Sequence, residues 1–380
     1  MDNKYKYIKR ISSGAFSVCD LYKNNSKLFA IKTAIDLEDG ISYNELREIF
    51  SLLILTNHPN IIRLNEIFIN IDGILNIVYK YYPKTLSSYI IQTNTVDRQP
   101  FILPFIKQMI SALYYMHSNG IIHTDLKEAN IMLSSINNFD IKIIDFGSCH
   151  IKYITEKYSI VSTYTIRAPE VYTYDYNYDN KIDIWSFGVV LYRFITGNYI
   201  LDHNKHHNTS DIEKLKEIYN FIDNIDNLPI EPKFKTLLKK MLEIDPEKRL
   251  DIYSLITLFQ ELFNINIPLS IITNKLNNIK LETLDNKLED LNNHISLQLF
   301  NVKLKKLNFG NLILKKLRRL NSLDYATIWY LNYQFTHADV EYNLKDFLPI
   351  FNAYYKTVFD IKDIHNNCFI ILDVIEFDLF

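Results

Sequence analysis

Apolar and polar residues alternate near the start of the chain in the way that is typical of β-strands. Residues 5–8, 17–22 and 28–32 show this alternation, and an Asn24-Asn25 turn separates the second run from the third. Residues 75–78 form a fourth run, which is almost wholly apolar and has the length of a buried strand. The pattern predicts a sheet built from hairpins close to the N-terminus.

Helical spacing of apolar residues dominates the rest of the chain. It predicts one helix over residues 42–53 and a second over residues 104–119. A strongly apolar and buried helix is expected to begin at Asp183. Leucines and isoleucines continue at helical intervals through residues 265–380. We therefore expect an α+β fold followed by an additional all-α domain.

Composition excludes several classes of protein. Hydrophobic residues make up 48% of the 380 positions and charged residues 23%, which is typical of a globular chain. The net charge of −2 gives no general attraction to nucleic acid or to a membrane. The start lacks the apolar core of a signal peptide, and no apolar run approaches the length of a membrane span. We expect an intracellular protein, cytoplasmic or nuclear, with no membrane partner.

The three cysteines, Cys19, Cys149 and Cys368, lie far apart and match no metal-binding spacing. Reduced thiols in an intracellular protein are the expectation for such a set. The cysteines therefore suggest neither a structural metal site nor a disulfide framework.

Residues 121–147 concentrate the charged and amide side chains that phosphoryl transfer requires. Asp125, Lys127 and Asn130 lie in one loop, and Asp145 ends the apolar run that follows it. In this chemistry one carboxylate orients the attacking hydroxyl, a cation neutralises the moving phosphoryl group, and an amide and a second carboxylate hold magnesium. A polar loop between two strands would explain each residue alone but not the whole set at this spacing.

Further motifs occur in a fixed order around this loop, and together they resemble the eukaryotic Ser/Thr protein kinases of the cyclin-dependent-kinase-like (CMGC) group. The resemblance implies a bilobal kinase domain over residues 1–264, with an N-lobe over 1–82 and a helical C-lobe over 83–264. The quoted motifs are Phe29-Ala30-Ile31-Lys32, His123 to Asn130, Asp145-Phe146-Gly147, Arg167-Ala168-Pro169-Glu170, Asp183 to Gly188, and Asp245 to Arg249.

The resemblance assigns catalytic roles to four residues. Asp125 would orient the hydroxyl of a protein substrate, and Lys127 would stabilise charge on the γ-phosphoryl group. Lys32 would grip the α- and β-phosphates of ATP and would pair with Glu48 from the preceding helical pattern, with Glu45 as the fallback partner. Lys127 at its position favours Ser/Thr over Tyr substrates.

The resemblance also implies ATP and Mg²⁺ as cofactors. Only Gly14 remains of the three glycines that usually cover the phosphates, because Ser12 and Ser17 occupy the other positions, and this should weaken nucleotide binding somewhat. Tyr79 would be the gatekeeper before the adenine-binding hinge, and Asn130 and Asp145 would bind magnesium. The full expected nucleotide site is Ile11, Ser12, Gly14, Phe16, Cys19, Ala30, Lys32, Tyr79, Lys80, Tyr81, Tyr82, Asn130 and Asp145.

Two finer expectations concern substrate choice and regulation. Val161 and Arg167 occupy the positions that shape a pocket for proline after the target residue in proline-directed kinases. Thr124 replaces the arginine that usually precedes the catalytic aspartate, so the chain lacks a full set of cations to clamp a phosphate. We therefore expect the activation segment to order without phosphorylation and interpret Tyr158 as a packing residue.

The C-terminal tail, residues 265–380, allows two interpretations. Residues 343–347 and 371–379 resemble helices of a cyclin box, although its Lys–Glu pair would fall near Asn332 and Cys368 and is absent. Such a domain could hold the helix of Glu48 inward and activate the kinase in cis; the alternative is a helical extension that only supports the C-lobe. A weakly catalytic, nucleotide-binding scaffold that recruits a partner through the tail is the alternative to an active kinase.

Overall fold

The computed structural model describes residues 4–14, 17–35, 43–55, 58–70, 74–135, 139–151, 162–173, 178–202, 206 and 208–267. The fold is bilobal, with an antiparallel sheet and one helix in the N-lobe and a mainly helical C-lobe. The N-lobe sheet has the strand order β1-β2-β3-β5-β4. Its strands are β1 Lys6–Ser13, β2 Ser17–Asn24, β3 Lys27–Ala34, β4 Leu64–Ile69 and β5 Leu75–Lys80.

The two faces of this sheet have different neighbours because successive side chains of a strand point to opposite sides. Ile77 and Tyr79 face the main core, which the helix α1 (Tyr43–Ile54) joins through Ile49 and Leu52. The opposite face carries a separate small cluster of Tyr22, Ile31 and Val78. Helix α1 is therefore seated on the same face of the sheet as Tyr79.

The C-lobe is built around two buried helices. Phe105 of α4 (Ile102–Ser118) and Phe194 of α5 (Lys181–Thr196) have ring centroids 4.8 Å apart. Gly188 lets α5 approach Leu242 closely, because a Cβ atom at position 188 would lie 2.9 Å from Leu242 Cδ2. The helices are α2 Leu86–Gln92, α3 Thr95–Arg98, α4 Ile102–Ser118, α5 Lys181–Thr196, α6 Asp211–Asp223, α7 Pro232–Met241 and α8 Ile252–Phe263.

Two small sheets frame the loops between the lobes. One has the order β6-β8-β9, with strands Lys84–Thr85, Ile131–Ser135 and Asp140–Ile143, and the other pairs β7 (Ile121–Ile122) with β10 (His150–Ile151). The loop that holds Asp125 runs from β7 to β8, and the loop that holds Asp145 runs from β9 to β10. Pairing of these short strands brings both loops to the same edge of the C-lobe.

A direct link between the lobes passes through the chain after α1. The N–H of Ile62 donates to the carbonyl of Ile143 at 2.9 Å, and the N–H of Ile143 donates to the carbonyl of Asn60 at 2.8 Å. This link ties the segment that follows α1 to the strand that ends just before Asp145. The position of α1 and the position of Asp145 are therefore coupled through the backbone.

The helices and strands that the sequence pattern predicted in the described residues are present, but it did not predict β4, α2 or α3. Residues 131–135 form β8, which the sequence pattern did not predict, and α4 and α5 each begin two residues earlier than expected, at Ile102 and Lys181. No helix in the described ranges is long and apolar enough to cross a membrane. The expected all-α domain lies almost wholly in residues 268–380, outside the described part of the chain, and stays a prediction.

Candidate active site

The loop between β7 and β8 is held in a strained shape by a buried carboxylate. Thr124 has a φ of 67°, a left-handed conformation that is costly for a β-branched residue. The N–H groups of His123 and Thr124 donate to the two oxygens of Asp183 at 2.8 and 2.9 Å. Asp183 lies in the first turn of α5 and is fully buried. Helix α5 therefore fixes the backbone that presents Asp125.

Asp125 is surrounded by hydrogen-bond donors. Lys127 Nζ lies 2.7 Å from its Oδ2, and Asn130 Nδ2 donates to its backbone carbonyl at 2.9 Å. Burial by itself raises the pKa of Asp125, but Lys127 and the hydrogen bonds from Thr163 outweigh burial and lower it. The carboxylate is therefore ionised at neutral pH and offers its oxygens as charged hydrogen-bond acceptors.

Thr163 is a site residue that the sequence analysis missed. Its N–H and its hydroxyl both donate to Asp125 Oδ1, at 2.9 and 2.7 Å, and its Oγ1 accepts from Lys127 Nζ at 2.8 Å. The end of the activation segment is thus joined to the catalytic loop. The sequence feature that could have indicated Thr163 is a hydroxyl residue four positions before Arg167. This spacing is too common in proteins to identify a site residue by itself.

Lys32 lies between two carboxylates. Its Nζ is 2.6 Å from Glu48 Oε2 and 3.3 Å from Asp145 Oδ1. Burial lowers the pKa of Lys32, but the two carboxylates and their hydrogen bonds outweigh this effect and raise it, so the ammonium group stays charged. Glu48 rather than Glu45 makes the ion pair with Lys32, in agreement with the expected partner, and both glutamates are buried.

Asn130 and Asp145 suit magnesium, which prefers oxygen ligands in octahedral geometry. The amide nitrogen of Asn130 points to Asp125, so a metal at this position would be ligated by the amide oxygen. Asp145 has a φ of 65° and a side chain that is 46% exposed. Among the described residues no group of three or more His, Cys, Asp or Glu is arranged to hold a metal. Magnesium would thus depend on these two ligands, phosphate and water.

The expected adenine-side residues gather on adjacent strands. Cys19 pairs with Lys32 between β2 and β3, and Ala30 pairs with Tyr79 between β3 and β5. The Tyr79 side chain extends to α1, where its hydroxyl donates to Glu48 Oε1 at 2.7 Å. Burial raises the pKa of the Cys19 thiol to about 11, so this thiol is uncharged at neutral pH.

The loop between β1 and β2 is closed by a hydrogen bond of 2.9 Å from the N–H of Gly14 to the carbonyl of Ser17. Ile11 and Ser12 lie on β1 beside it. Phe16, which was also expected in the nucleotide site, lies outside the described residues. The remaining expected residues are Lys80 at the end of β5 and Tyr81 and Tyr82 directly after it.

A buried arginine fixes the far end of the activation segment. Arg249 donates to the two oxygens of Glu170 at 2.6 and 2.9 Å, and its guanidinium lies 5.0 Å from the ring centroid of Trp185. A bidentate pair of this kind sets both distance and orientation. The pair that was expected between Glu170 and Arg249 is present and ties the segment to α5.

Comparisons with known proteins agree with the fold and the geometry of this site. Residues 5–263 match the protein kinase domain family. The chain is 30% identical over 264 residues to the serine/threonine-protein kinase cds1 of Schizosaccharomyces pombe, covering 66% of this chain and 56% of that protein. It is 32% identical over 282 residues to the mitogen-activated protein kinase HOG1 of Saccharomyces cerevisiae, covering 65% and 62%.

Two further similarities are to a kinase subunit homolog and to one chain of a solved complex. The probable CTD kinase subunit alpha homolog of Encephalitozoon cuniculi is 30% identical over 198 residues, covering 52% of this chain and 59% of that protein. The structure of the CAK complex from Chaetomium thermophilum bound to ATP-gamma-S has a chain that superimposes with a TM-score of 0.57 at 22% identity, covering 69% of this chain and 92% of that one. At this identity the second similarity concerns the fold alone.

The bilobal fold and the loops that gather the charged residues are those of a protein kinase domain. The chain belongs to the protein kinase domain family, since the family match covers well over half of its 380 residues. The expected kinase fold is thereby confirmed. The chain spans about 56–62% of the length of these three curated relatives.

Proposed function

We propose that this chain is an ATP-dependent Ser/Thr protein kinase that transfers the γ-phosphoryl group to hydroxyls of protein substrates. The observation that supports this most directly is the arrangement of Lys127 and Thr163 around the ionised Asp125. The curated relatives named above include a serine/threonine-protein kinase and a mitogen-activated protein kinase. Every charged residue expected for catalysis is retained.

In the proposed mechanism, the residues of this chain supply positioning and charge. Asp125 accepts the hydrogen bond of the substrate hydroxyl and orients it, while Lys127, next to Asp125, faces the transferred group. Lys32, held by Glu48, contacts the α- and β-phosphates. Bound Mg²⁺ would neutralise phosphate charge, with Asn130 and Asp145 as its protein ligands. Positioning and electrostatics of this kind account for nearly all the catalysis in phosphoryl transfer.

A phosphotransfer assay with radiolabelled ATP and a generic protein substrate tests the proposal. We expect incorporation by the natural chain and none above background by Asp125→Asn. Nucleotide binding without phosphotransfer in the natural chain would instead favour the scaffold alternative, which rests on Ser12 and Ser17 in place of glycines. The retained Lys32, Asp125 and Asp145 argue against that alternative.

A finer part of the proposal is a preference for proline directly after the target residue. Ser162 has a φ of 64°, and Arg167 Nη2 donates to its carbonyl at 2.9 Å. This carbonyl is therefore turned toward Arg167, and we infer that it does not accept from the N–H of a substrate residue. Proline has no N–H to leave unsatisfied, whereas any other residue would lose a hydrogen bond.

A positional-scanning peptide library tests the preference, with proline and alanine compared directly after the target serine. We expect a higher kcat/KM for the proline peptide. Arg167→Met should reduce the ratio between the two peptides, because Ser162 would then be free to turn its carbonyl toward the substrate. Equal rates for both peptides with the natural chain would contradict the preference. Val161, the other expected residue, lies outside the described part.

The activation segment offers a further proposal, that it orders without a phosphate. The hydroxyl of Thr124 donates to the carbonyl of Ser148 at 2.7 Å, and β7 pairs with β10 next to it. The start of the segment is thus joined to the catalytic loop by neutral hydrogen bonds. Phosphatase treatment of the purified chain should leave its activity unchanged, and a loss of activity would contradict this proposal. Tyr158 lies outside the described residues.

A further inference from the structure

The carboxylate of Glu48 has a donor on each of its oxygens. Lys32 Nζ lies 2.6 Å from Oε2, and the hydroxyl of Tyr79 donates to Oε1 at 2.7 Å. Glu48 and Tyr79 are only 2% and 5% exposed, so water has little access to this contact. Tyr79 was expected only as a residue beside adenine, and its hydrogen bond to Glu48 is an additional contact.

The strand register explains how two donors reach one carboxylate. Lys32 pairs with Ile77, and Ala30 pairs with Tyr79, so Lys32 and Tyr79 belong to neighbouring strands and are offset by two positions. Residues two apart on a strand share a face, and this face is the one that α1 covers. The sheet therefore contacts Glu48 at two separate points, one from β3 and one from β5.

The two contacts from Lys32 and Tyr79 to Glu48 restrict the movement of α1 more than a single contact would. The Lys32 side chain is long and flexible, and its Nζ is shared with Asp145, whereas Tyr79 has a rigid ring with few torsions. A folded protein is strongly destabilised when a buried charged acceptor loses one of its hydrogen-bond donors. Burial and the neighbouring Glu48 raise the pKa of the Tyr79 hydroxyl well above its usual value, so it remains a donor throughout the neutral range.

We propose that Tyr79 is a positioning residue that holds α1 against the sheet through the hydrogen bond from its hydroxyl to Glu48 Oε1. We call this hydrogen bond the lock. The lock maintains the ion pair between Lys32 and Glu48 even when no protein partner is bound to α1. This inference rests on the proposed kinase function and adds to it a built-in means of setting the active arrangement. The catalytic residues remain Asp125 and its neighbours, and Tyr79 acts through Glu48.

The first test compares two Tyr→Phe variants of the full chain. Tyr79→Phe removes only the hydroxyl and should lower kcat about tenfold, the equivalent of one charge-assisted hydrogen bond, with little change in the KM of the peptide. Tyr22→Phe is the matched control, because Tyr22 is buried in the same sheet but on the face away from Glu48. It should stay within about twofold of the natural chain.

The second test is a double-mutant cycle on stability, which does not depend on activity. Urea unfolding is measured for the natural chain, Tyr79→Phe, Glu48→Ala and the double variant. If Tyr79 acts through Glu48, removing its hydroxyl should destabilise the natural chain clearly and the Glu48→Ala chain much less. Additive effects of the two substitutions would overturn the lock.

The outcomes separate the inference from the function on which it rests. Absence of phosphotransfer in the natural chain, at the level of Asp125→Asn, removes the proposed function, and the stability cycle then still decides whether Tyr79 and Glu48 are coupled. An active natural chain with an equally active Tyr79→Phe variant overturns the lock and leaves the kinase assignment intact. Reduced activity of Tyr79→Phe with non-additive stability supports both.

Discussion

Thr163 and Asp125 lie 38 positions apart in the chain, yet one oxygen of Asp125 accepts two hydrogen bonds from Thr163, one from the N–H and one from the hydroxyl. The same hydroxyl oxygen accepts from Lys127. The catalytic loop and the activation segment therefore meet at this threonine. The backbone and the side chain of this one residue both contribute to holding the two segments together.

Thr163→Val should lower kcat about tenfold or more. Valine keeps the shape and the N–H contact but removes the hydroxyl, so Asp125 loses a charge-assisted hydrogen bond and Lys127 loses an acceptor. Steady-state kinetics with a peptide substrate measure the effect. Thr163→Ser restores the hydroxyl and should recover most of the rate, and equal defects in both variants would contradict this role.

Asp125→Asn should leave a folded protein whose phosphotransfer is reduced by at least about 100-fold, since the variant lacks the carboxylate that orients the substrate hydroxyl. Lys32→Met should be similarly inactive, because it removes the cation that Glu48 and Asp145 hold. Circular dichroism verifies folding, and Asp140→Asn, at an exposed carboxylate on β9, is the matched control. Undiminished activity in either of the first two variants would remove the assigned roles.

Stability should fall between neutral pH and pH 5 partly through His58. Burial, together with Lys142, lowers the pKa of His58 from 6.5 to about 4. Its Nδ1 accepts from the N–H of Asn60 at 3.1 Å, so protonation would replace an acceptor with a second donor. Between these two values the unfolded chain binds a proton that the folded chain excludes. The contribution of His58 to stability is therefore complete above pH 6.5 and is lost as the pH falls toward 4.

The expected loss from His58 is about 2 kcal/mol at pH 5 relative to pH 7.5. Urea unfolding at both values measures it in the natural chain and in His58→Asn, whose amide oxygen can still accept from Asn60. The variant should show the smaller pH dependence. An identical dependence in the two proteins would show that His58 is not the titrating group.

Arg98→Met should destabilise the C-lobe by about 3 kcal/mol. The buried guanidinium donates to the carbonyls of Phe194 at 2.7 Å and Ile90 at 3.0 Å, in the last turns of α5 and α2. These carbonyls lack partners within their own helices and would be left unsatisfied. Arg63→Met, at an exposed arginine, should change the urea midpoint little. Equal shifts in the two variants would contradict a capping role.

Truncation after Ile267 should preserve a substantial part of the activity. The contacts that hold Glu48 inward come from Lys32 and Tyr79, both within the N-lobe sheet, and Ile267 is retained because it is buried. Peptide phosphorylation by the truncated chain measures this. Lost activity with an intact fold would instead support cis activation by the tail, and loss of folding would favour a tail that only supports the C-lobe.

The order of the motifs was readable from the sequence because each one is local. Residues 42–53 were expected as a helix and form α1 at Tyr43–Ile54, and residues 104–119 correspond to α4 at Ile102–Ser118. The strand β8 was missed because its residues follow a polar loop and are few. Its identity depends on pairing with β9, and such pairing has no local signal.

By itself, the sequence indicated the class of fold through its apolar pattern, and its resemblance to protein kinases supplied the expected set of charged residues at the site. Only the tertiary structure decided how distant residues complete that set. Tyr79 reaches Glu48 through the register of β3 and β5, and Thr163 reaches Asp125 beside the left-handed turn at Ser162. Both contacts depend on how separate segments of the chain pack against each other, and this packing cannot be derived from the order of residues alone.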